Sequence, residues 1–264
     1  MNAPALDAFD LALAATLLIL NAVLSIALQL DIARKLVISA VRMVLQLAFV
    51  GLVLESLFAS GSPLWTGLVA LTMVLLAGRE IMARQEHRLR GLWAFGLGTS
   101  CMLAASFLVT IFALTTQVRP DPWYEPRYAL PLLGMVLGNT MTGISLGLHS
   151  LTQGLLRERV AVEAQLCLGR SRFQAALPVL RESLRSALMP ILNSMAAAGV
   201  IALPGMMTGQ ILAGAEPAQA VEYQMLIFFL IAGGTTVGSV TAVFGGWFRL
   251  TDGRHRLRLE RLVS

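Results

Sequence analysis

The chain has a single lysine, Lys35, and no glycine-rich loop precedes it. The phosphate cradle of P-loop ATPases requires the pattern G-x-x-x-x-G-K-[ST], in which the lysine reaches the nucleotide phosphates. The sequence therefore excludes a self-contained P-loop ATPase. If the protein moves a solute uphill, it uses an ion gradient or ATP hydrolysis performed by another subunit.

Cysteines and clustered titratable side chains are also scarce. The two cysteines, Cys101 and Cys167, fall in a predicted span and in a predicted loop, so we expect packing residues and no disulfide. The three histidines, His87, His149 and His255, are scattered along the chain. Nothing in the sequence resembles a zinc site or a pair of catalytic carboxylates.

Charge is low throughout, because only 13% of the 264 residues are charged whereas 56% are hydrophobic. The mean hydropathy of +0.73 lies far outside the range of soluble domains. About 20 apolar residues cross a bilayer as a helix. The sequence predicts an all-α, polytopic transmembrane helical bundle with about seven spans, of which the third is short: Phe9–Leu30, Leu36–Phe58, Leu64–Gly78, Leu92–Thr116, Leu130–Leu151, Ile191–Ala213 and Tyr223–Phe248.

The basic residues predict how the chain crosses the membrane. In the seven-span arrangement, all of the 20 Lys and Arg residues except Arg119 and Arg127 fall on one side. Because cytoplasmic loops retain basic residues, the N-terminus is expected outside and the C-terminus inside. The charges lie beside spans, so we expect no nucleic-acid partner, and the basic tail Arg249–Ser264 is expected to contact lipid headgroups.

One predicted inner connection, residues 152–190, is much longer than the others. It belongs to a single transmembrane domain over residues 1–264 and is the place where a cytoplasmic partner would bind. Its pattern predicts helices with a break at Gly169, a capping box formed by Ser171 and Gln174, an end of the second helix at Pro178, and a third piece, Val179–Leu188. A helix lying on the membrane surface is an alternative interpretation.

Glycines four residues apart recur in the later spans, at 134/138, 143/147, 205/209 and 234/238. Such stripes let helices pack closely, and close packing alone explains them; mobile helices lining a route are the alternative. The same spans carry polar residues, which are expected to point inward because they are costly in hydrocarbon. These are Asn139, Thr140, Thr142, Asn193, Thr208, Gln210, Thr235 and Thr236.

The stretch "LPGMMTGQILAG" interrupts the sixth predicted span. Pro204 removes a backbone hydrogen bond and Gly205 loosens the helix, so we expect a kink or break near the middle of the span. Broken helices line cavities in transporters, although a packed kink is the alternative. Met206 and Met207 are weak candidates for binding a soft metal, and Glu55 is a weak candidate for cation contact.

One pattern is typical of an enzyme. Gly143 to Gly147 fits G-x-S-x-G, and His149 lies four residues after Ser145. An intramembrane serine hydrolase is therefore a distant alternative, because the nucleophile elbow needs a strand, a sharp turn and a helix.

The segment "VEAQLCLGRSRFQAALP" resembles the E-A-A-x-x-x-G coupling signature of ABC-transporter permeases. Glu163, Ala164 and Gly169 match it, while Gln165 replaces the second alanine. With "VRMVLQLAFVGLVLESLF", "GMVLGNTMTGISLGL" and "LPGMMTGQILAG", the chain from about Leu36 to Phe248 is similar to the FetB-type iron-export permease family, which includes plant permeases linked to aluminium tolerance.

That resemblance implies a transport subunit without enzymatic activity in the inner (plasma) membrane, exporting iron or a related metal. It implies two copies of the permease paired with two ATP-binding subunits that bind ATP and Mg²⁺, and no cofactor in this chain. Residues 163–169 would dock on the ATP-binding subunit, while Gly134–Gly147 and Leu203–Gly214 would line the pathway. A gradient-driven secondary transporter is the alternative.

Overall fold

The computed structural model describes residues 7–60 and 62–263, except for the side chains of residues 8, 55, 56 and 58–60. Almost all of the described chain is helical. Nine α-helices and two short strands occur among the described residues: α1 (Ala8–Ala27), α2 (Ala33–Ser60), α3 (Pro63–Ala83), β1 (Arg88–Leu89), α4 (Trp93–Ala113), α5 (Pro126–Arg157), α6 (Arg159–Cys167), α7 (Arg172–Ala197), α8 (Gly205–Leu212), α9 (Pro217–Leu250) and β2 (Leu262–Val263).

Six of these helices are long and apolar enough to cross a membrane, which confirms a multi-pass helical membrane protein. They are α1, α2, α3, α4 with the π-helical turn Leu114–Val118, α5 and α9. The predicted sixth span, Ile191–Ala213, is not among these six helices, because the chain leaves helical geometry between Ala197 and Gly205. The expected interruption is confirmed, with Pro204 as its last residue. The side of the membrane on which each terminus lies stays a prediction.

The chain divides into two compact units, Met1–Ser62 with Leu212–Gly214, and the remainder. In the first unit, α1 and α2 form an antiparallel hairpin whose turn contains Gln29 and Asp31, both with positive φ. Most of its large apolar side chains are exposed, as expected of helices that face lipid. The single-domain assignment stays a prediction.

The second unit is built around α5, which packs against α3, α4, α7 and α9. Two apolar clusters lie in its core among the residues that the structure describes. One surrounds Leu151, Leu180 and Trp247, and the other surrounds Val136 and Ile227. The helices alternate in direction, so α3, α5 and α9 finish at the same end at which α4 and α7 begin. We call this the basic end.

Two long helices extend further than the sequence predicts. Helix α7 continues through Pro178 and Pro190, so neither the predicted end at Pro178 nor the separate piece Val179–Leu188 exists. A proline inside a helix costs about 3 kcal/mol. The buried face of α7 on α5 offsets this cost, since Ala176, Leu180 and Ala187 are almost fully buried there. The third span was predicted to be short, but α3 continues to Ala83.

Candidate functional site

Helix α6 is a short helix that ends in a glycine turn at the basic end. Gly169 follows it with φ +84°, a conformation that glycine adopts without strain. The Gly169 N–H donates to the Leu166 carbonyl at 3.0 Å, and the Arg170 N–H donates to the Gln165 carbonyl at 3.1 Å. These two bonds form a Schellman motif, which terminates the helix. The predicted break at Gly169 is confirmed.

The two faces of α6 differ sharply. Val162 is buried against the neighbouring helices, whereas Val160 and Leu168 are 80% and 83% exposed. Ala164 lies between these two on the same helical face and is also exposed. Glu163 accepts a hydrogen bond from Arg159 Nε at 2.8 Å, an exposed i,i+4 ion pair. The helix therefore presents an apolar stripe, formed by Val160, Ala164 and Leu168, away from the bundle.

The helix that follows begins with the predicted capping box. The Gln174 N–H donates to Ser171 Oγ at 3.3 Å, and the Ser171 N–H donates to Gln174 Oε1 at 3.1 Å. Between α5, α6 and α7 lies a groove of about 510 Å³, whose walls include Arg157, Val162 and Pro178. Both ends of the 152–190 segment are thus fixed to the bundle, with α6 between them.

The C-terminal tail folds back onto the basic end, a feature that the sequence did not predict. Leu262 and Val263 pair antiparallel with β1 between α3 and α4. The Arg172 N–H, at the start of α7, donates to His255 Nδ1 at 3.1 Å, and Arg172 Nη1 donates to the Asp252 carbonyl at 3.2 Å. The tail therefore holds the first residue of α7, in addition to any contact with lipid headgroups.

Asp252 organises the bend of this tail. Its carboxylate accepts hydrogen bonds from the backbone N–H groups of Arg254 and Arg256 and from the guanidinium groups of Arg256 and Arg258, at 2.9 to 3.2 Å. The backbone bond from Arg256 and the positive charge of its side chain lower the pKa of Asp252 from 3.8 to about 2. The carboxylate is therefore ionised at any physiological pH.

Six buried hydroxyl groups lie in the packed interior of the second unit without a hydrogen-bond partner among the described residues. A buried, unpaired hydroxyl costs about 1–3 kcal/mol. Residues Thr140 and Thr235 were expected to point inward, and the structure confirms this. Ser145 was singled out only as the serine of the hydrolase pattern, and the members on α4 and the serine on α9 were not singled out, although their spacing of four residues was a usable signal. We call the set the hydroxyl seam: Ser106 and Thr110 on α4, Thr140 and Ser145 on α5, and Thr235 and Ser239 on α9.

Two of the predicted glycine stripes pack closely. A Cβ atom added to Gly143 would lie 2.6 Å from Thr235 Cγ2, and one added to Gly147 would lie 2.9 Å from Val243 Cγ2. On α9, Gly234 and Gly238 meet Val136 and Thr140 at similar distances. Close packing is not seen at the other two pairs, because Cβ atoms at Gly138, Gly205 and Gly209 would meet no described atom within 4 Å, while one at Gly134 would lie 3.2 Å from Met73 Cε.

At the opposite end of the second unit, α8 borders a cavity of about 350 Å³. Met206 and Gln210 from α8 line it together with Arg127 and Tyr128 at the start of α5 and Tyr223 on α9. Gln210 Oε1 is buried and has no hydrogen-bond partner among the described residues. The structure therefore gathers two of the predicted pathway residues into one polar cavity.

The remaining predicted pathway residues are dispersed. Asn139 Nδ2, Thr142 Oγ1 and Thr208 Oγ1 each bond a carbonyl four residues earlier in their own helix. Asn193 and Thr236 are exposed on this single chain, so the described residues do not enclose them, and the expectation that they face protein or water stays a prediction. Thr236 lies about 100° around α9 from the buried Thr235, so one residue of register decides its face, whereas the nearest buried residue to Asn193 on α7 is Ile191.

The described residues contain no group of three or more His, Cys, Asp or Glu side chains that could hold a metal ion. The two adjacent methionines do not form a common site, because Met206 lines the cavity whereas Met207 is buried and does not. The side chain of Glu55 lies outside the described part of the chain.

The hydrolase pattern is not a nucleophile elbow. Residues 143–149 lie inside the continuous helix α5, and Ser145 is buried. The strand, sharp turn and helix that expose a catalytic serine are therefore missing at this position, and the serine-hydrolase interpretation is wrong.

Comparison with known proteins identifies the family. Residues 8–250, nearly the whole chain, match the family described as "Uncharacterised protein family (UPF0014)". The chain belongs to the UPF0014 family. It is 35% identical over 211 residues to the UPF0014 membrane protein slr1647 of Synechocystis, which covers 80% of this chain and 81% of that protein.

Two further relatives have names that describe a role. The "Protein ALUMINUM SENSITIVE 3" of Arabidopsis thaliana is 32% identical over 240 residues, covering 89% of this chain and 84% of that protein. The "Probable iron export permease protein FetB" of Escherichia coli is 26% identical over 262 residues, covering 99% of both chains. The suspected relationship to these proteins is confirmed. No solved structure matches the chain.

Proposed function

We propose that this UPF0014 membrane protein is the permease subunit of an ABC transporter, exporting iron or a related metal with ATP hydrolysed by a partner subunit. Support for export and for iron comes from the printed name of the Escherichia coli relative. Support for a partner ATPase comes from Glu163, Ala164 and Gly169, which match the coupling signature of ABC permeases, in a chain that has no P-loop of its own.

The observation that carries the proposal is the position of α6. A short helix held by one buried residue, Val162, exposes the apolar stripe of Val160, Ala164 and Leu168. Exposed apolar helix faces are typical of helices that bind in a groove of another protein. Glu163, Ala164 and Gly169, which match the coupling signature, belong to this helix and its terminating turn.

The same helix is well placed to transmit a movement. Its carboxyl end leads through the glycine turn directly into α7, and α7 packs along α5 over most of its length. A displacement of α6 by a closing ATP-binding subunit would therefore reach the helices of the hydroxyl seam. In this proposal two permease chains assemble with two ATP-binding subunits, which bind the ATP and Mg²⁺, in the inner (plasma) membrane.

Purification of the tagged full-length chain from its own cells tests the partnership. We expect a protein to co-purify that hydrolyses ATP, and we expect Leu168→Asp to remove both that protein and the ATPase activity. Leu92→Asp is a matched control, because Leu92 is an equally exposed leucine at the same end of the bundle but lies outside α6.

The outcomes separate the alternatives. Loss of the partner in Leu168→Asp and its retention in Leu92→Asp support docking through α6. Retention in both variants removes α6 as the docking helix. A chain that transports metal without any ATP-hydrolysing partner, driven by an ion gradient, is a secondary transporter.

A further inference from the structure

The hydroxyl seam differs from the other hydroxyl groups of the same helices. Thr99 on α4, Thr142 on α5 and Thr241 on α9 each donate to the carbonyl four residues earlier, at 2.6 to 3.0 Å. This local bond is the ordinary solution for a hydroxyl in an apolar helix. The six seam hydroxyls, all at least nine-tenths buried, have no partner among the described residues. They are therefore turned away from the backbone of their own helix.

Two of them, one on α5 and one on α9, face the glycine stripes that bring these helices together. Thr140 Oγ1 lies 3.4 Å from the position that a Cβ atom on Gly234 would occupy. Across the same contact, Ser239 Oγ lies 2.7 Å from the position of a Cβ atom on Gly143. Hydroxyls of one helix thus face bare backbone of the other in both directions. A small separation of α5 from α9 would expose the hydroxyls of Thr140 and Ser239 on facing surfaces.

We propose that the hydroxyl seam is the closed form of the translocation route, and that its open form passes a cargo enclosed in a hydrogen-bonding shell. This inference rests on the proposed transport function and adds the route and the surface chemistry of the cargo. The unpaired hydroxyls are unfavourable in the closed form, and contact with water or with the cargo shell in the open form satisfies them.

The chemistry of the seam sets what can pass. A hydroxyl both donates and accepts hydrogen bonds and carries no net charge. A metal ion stripped of its ligands meets a high desolvation barrier on such a surface, because a few hydroxyl groups do not supply the full set of ligands that the ion gives up. The seam therefore fits a metal ion that retains its ligands, either bound water or an organic chelator.

A substitution of threonine by valine keeps the shape of the side chain and removes the hydroxyl group. It therefore distinguishes a seam that serves as a transport route from a seam that only packs the helices together. In the double variant Thr140→Val and Thr235→Val, the loss of two unpaired buried hydroxyls raises the melting temperature. If the seam is the route, the transport of radioactive iron by the complex in vesicles falls in the same variant. The matched control is Thr99→Val with Thr241→Val, two hydroxyls that bond carbonyls of their own helices, for which the transport rate stays unchanged.

Two iron probes distinguish the sources of the shell. Hydrated Fe²⁺ and ferric citrate are supplied in separate experiments. If the seam variant no longer transports one of these probes, the result supports the proposal and shows whether the shell is water or an organic chelator. A seam variant that melts higher and transports both probes as fast as the unmodified protein overturns it, because the seam is then packing only.

Thiol accessibility gives a readout that is separate from iron transport. After replacement of Cys101 and Cys167 by serine, Thr140→Cys and Ser239→Cys are each tested with a membrane-impermeant, cationic thiol reagent, using the complex in lipid nanodiscs. We expect modification during ATP turnover and loss of it in the resting state. Modification without partner or nucleotide supports the seam but contradicts the proposed ABC function. Full protection while the complex transports iron contradicts the seam and leaves the proposed function intact.

Discussion

Ser239 on α9 packs directly against Gly143 on α5, so that a Cβ atom at position 143 would lie only 2.7 Å from the serine Oγ. The carbonyl of Ala187 on α7 is 3.1 Å from the same position. One glycine therefore sets the approach of three helices. This contact places two unlike features, a polar side chain and a bare backbone, at the centre of the bundle.

Enlarging this glycine is expected to destabilise the bundle. In Gly143→Ala, the added methyl group meets Thr235, Ser239 and Ala187 at 2.6 to 3.1 Å, and overpacking of this kind costs about 1–3 kcal/mol. The thermal melting temperature of the purified protein in detergent should fall. Gly138→Ala is the matched control on the same helix, because its methyl group would meet no described atom within 4 Å. It should melt at the same temperature as the unmodified protein or higher, since alanine favours a helix by about 1 kcal/mol.

The glycine turn after α6 is expected to be equally sensitive, for a different reason. Gly169 has φ +84°, and an L-residue in a left-handed conformation costs about 1–2 kcal/mol. In Gly169→Ala, hydrogen exchange of the α6 amides should become faster while that of α5 remains unchanged. Gly209→Ala is the control, because Gly209 lies within α8 and has open space around it. Equal protection of α6 in Gly169→Ala and in the unmodified protein would show that the turn does not hold the helix.

How far the sequence predicts these features depends on the distance between the residues that determine them. The turn at Gly169 and the capping box of Ser171 and Gln174 are local, and both were predicted. The passage of α7 through Pro178 was not, because it depends on packing against α5, which is remote in the sequence. The seam was predicted only at Thr140 and Thr235, since the buried face of a helix is set by its neighbours.

The tail illustrates the same limit. Asp252 and His255 were unremarkable in the sequence, yet they join the end of α9 to the start of α7 across about eighty residues. Pairing of this kind depends on where α7 and α9 lie in the folded bundle. The helical class and the family were predictable, because composition and motif determine them without knowledge of the packing.

Asp252 gives a prediction about pH. The pKa of its carboxyl group is about 2 in the folded protein and 3.8 without the tail contacts. Because the folded pKa is the lower one, the stability that the carboxylate contributes is fully present above pH 3.8 and is lost as the pH falls through about 2. Asp252→Asn should therefore melt below the unmodified protein by a constant amount from pH 8 down to about 5, as expected from this linkage.

The difference in melting temperature between Asp252→Asn and the unmodified protein should shrink only as the pH falls below 3.8 toward 2. Differential scanning calorimetry of both proteins over this range measures it. A difference that disappears already near neutral pH would mean that another group controls the tail. Glu260→Gln provides a comparison, because the Glu260 carboxylate also pairs with Arg258 but lies outside the bend of the tail.

Iron transport in inverted membrane vesicles that contain the full-length chain and its ATP-binding partner tests the central claim most directly. We expect radioactive iron to accumulate inside the vesicles only when ATP is supplied, and Leu168→Asp to abolish the accumulation while Leu92→Asp retains it. Accumulation at the full rate by the chain alone, without an ATP-hydrolysing subunit, would contradict the account.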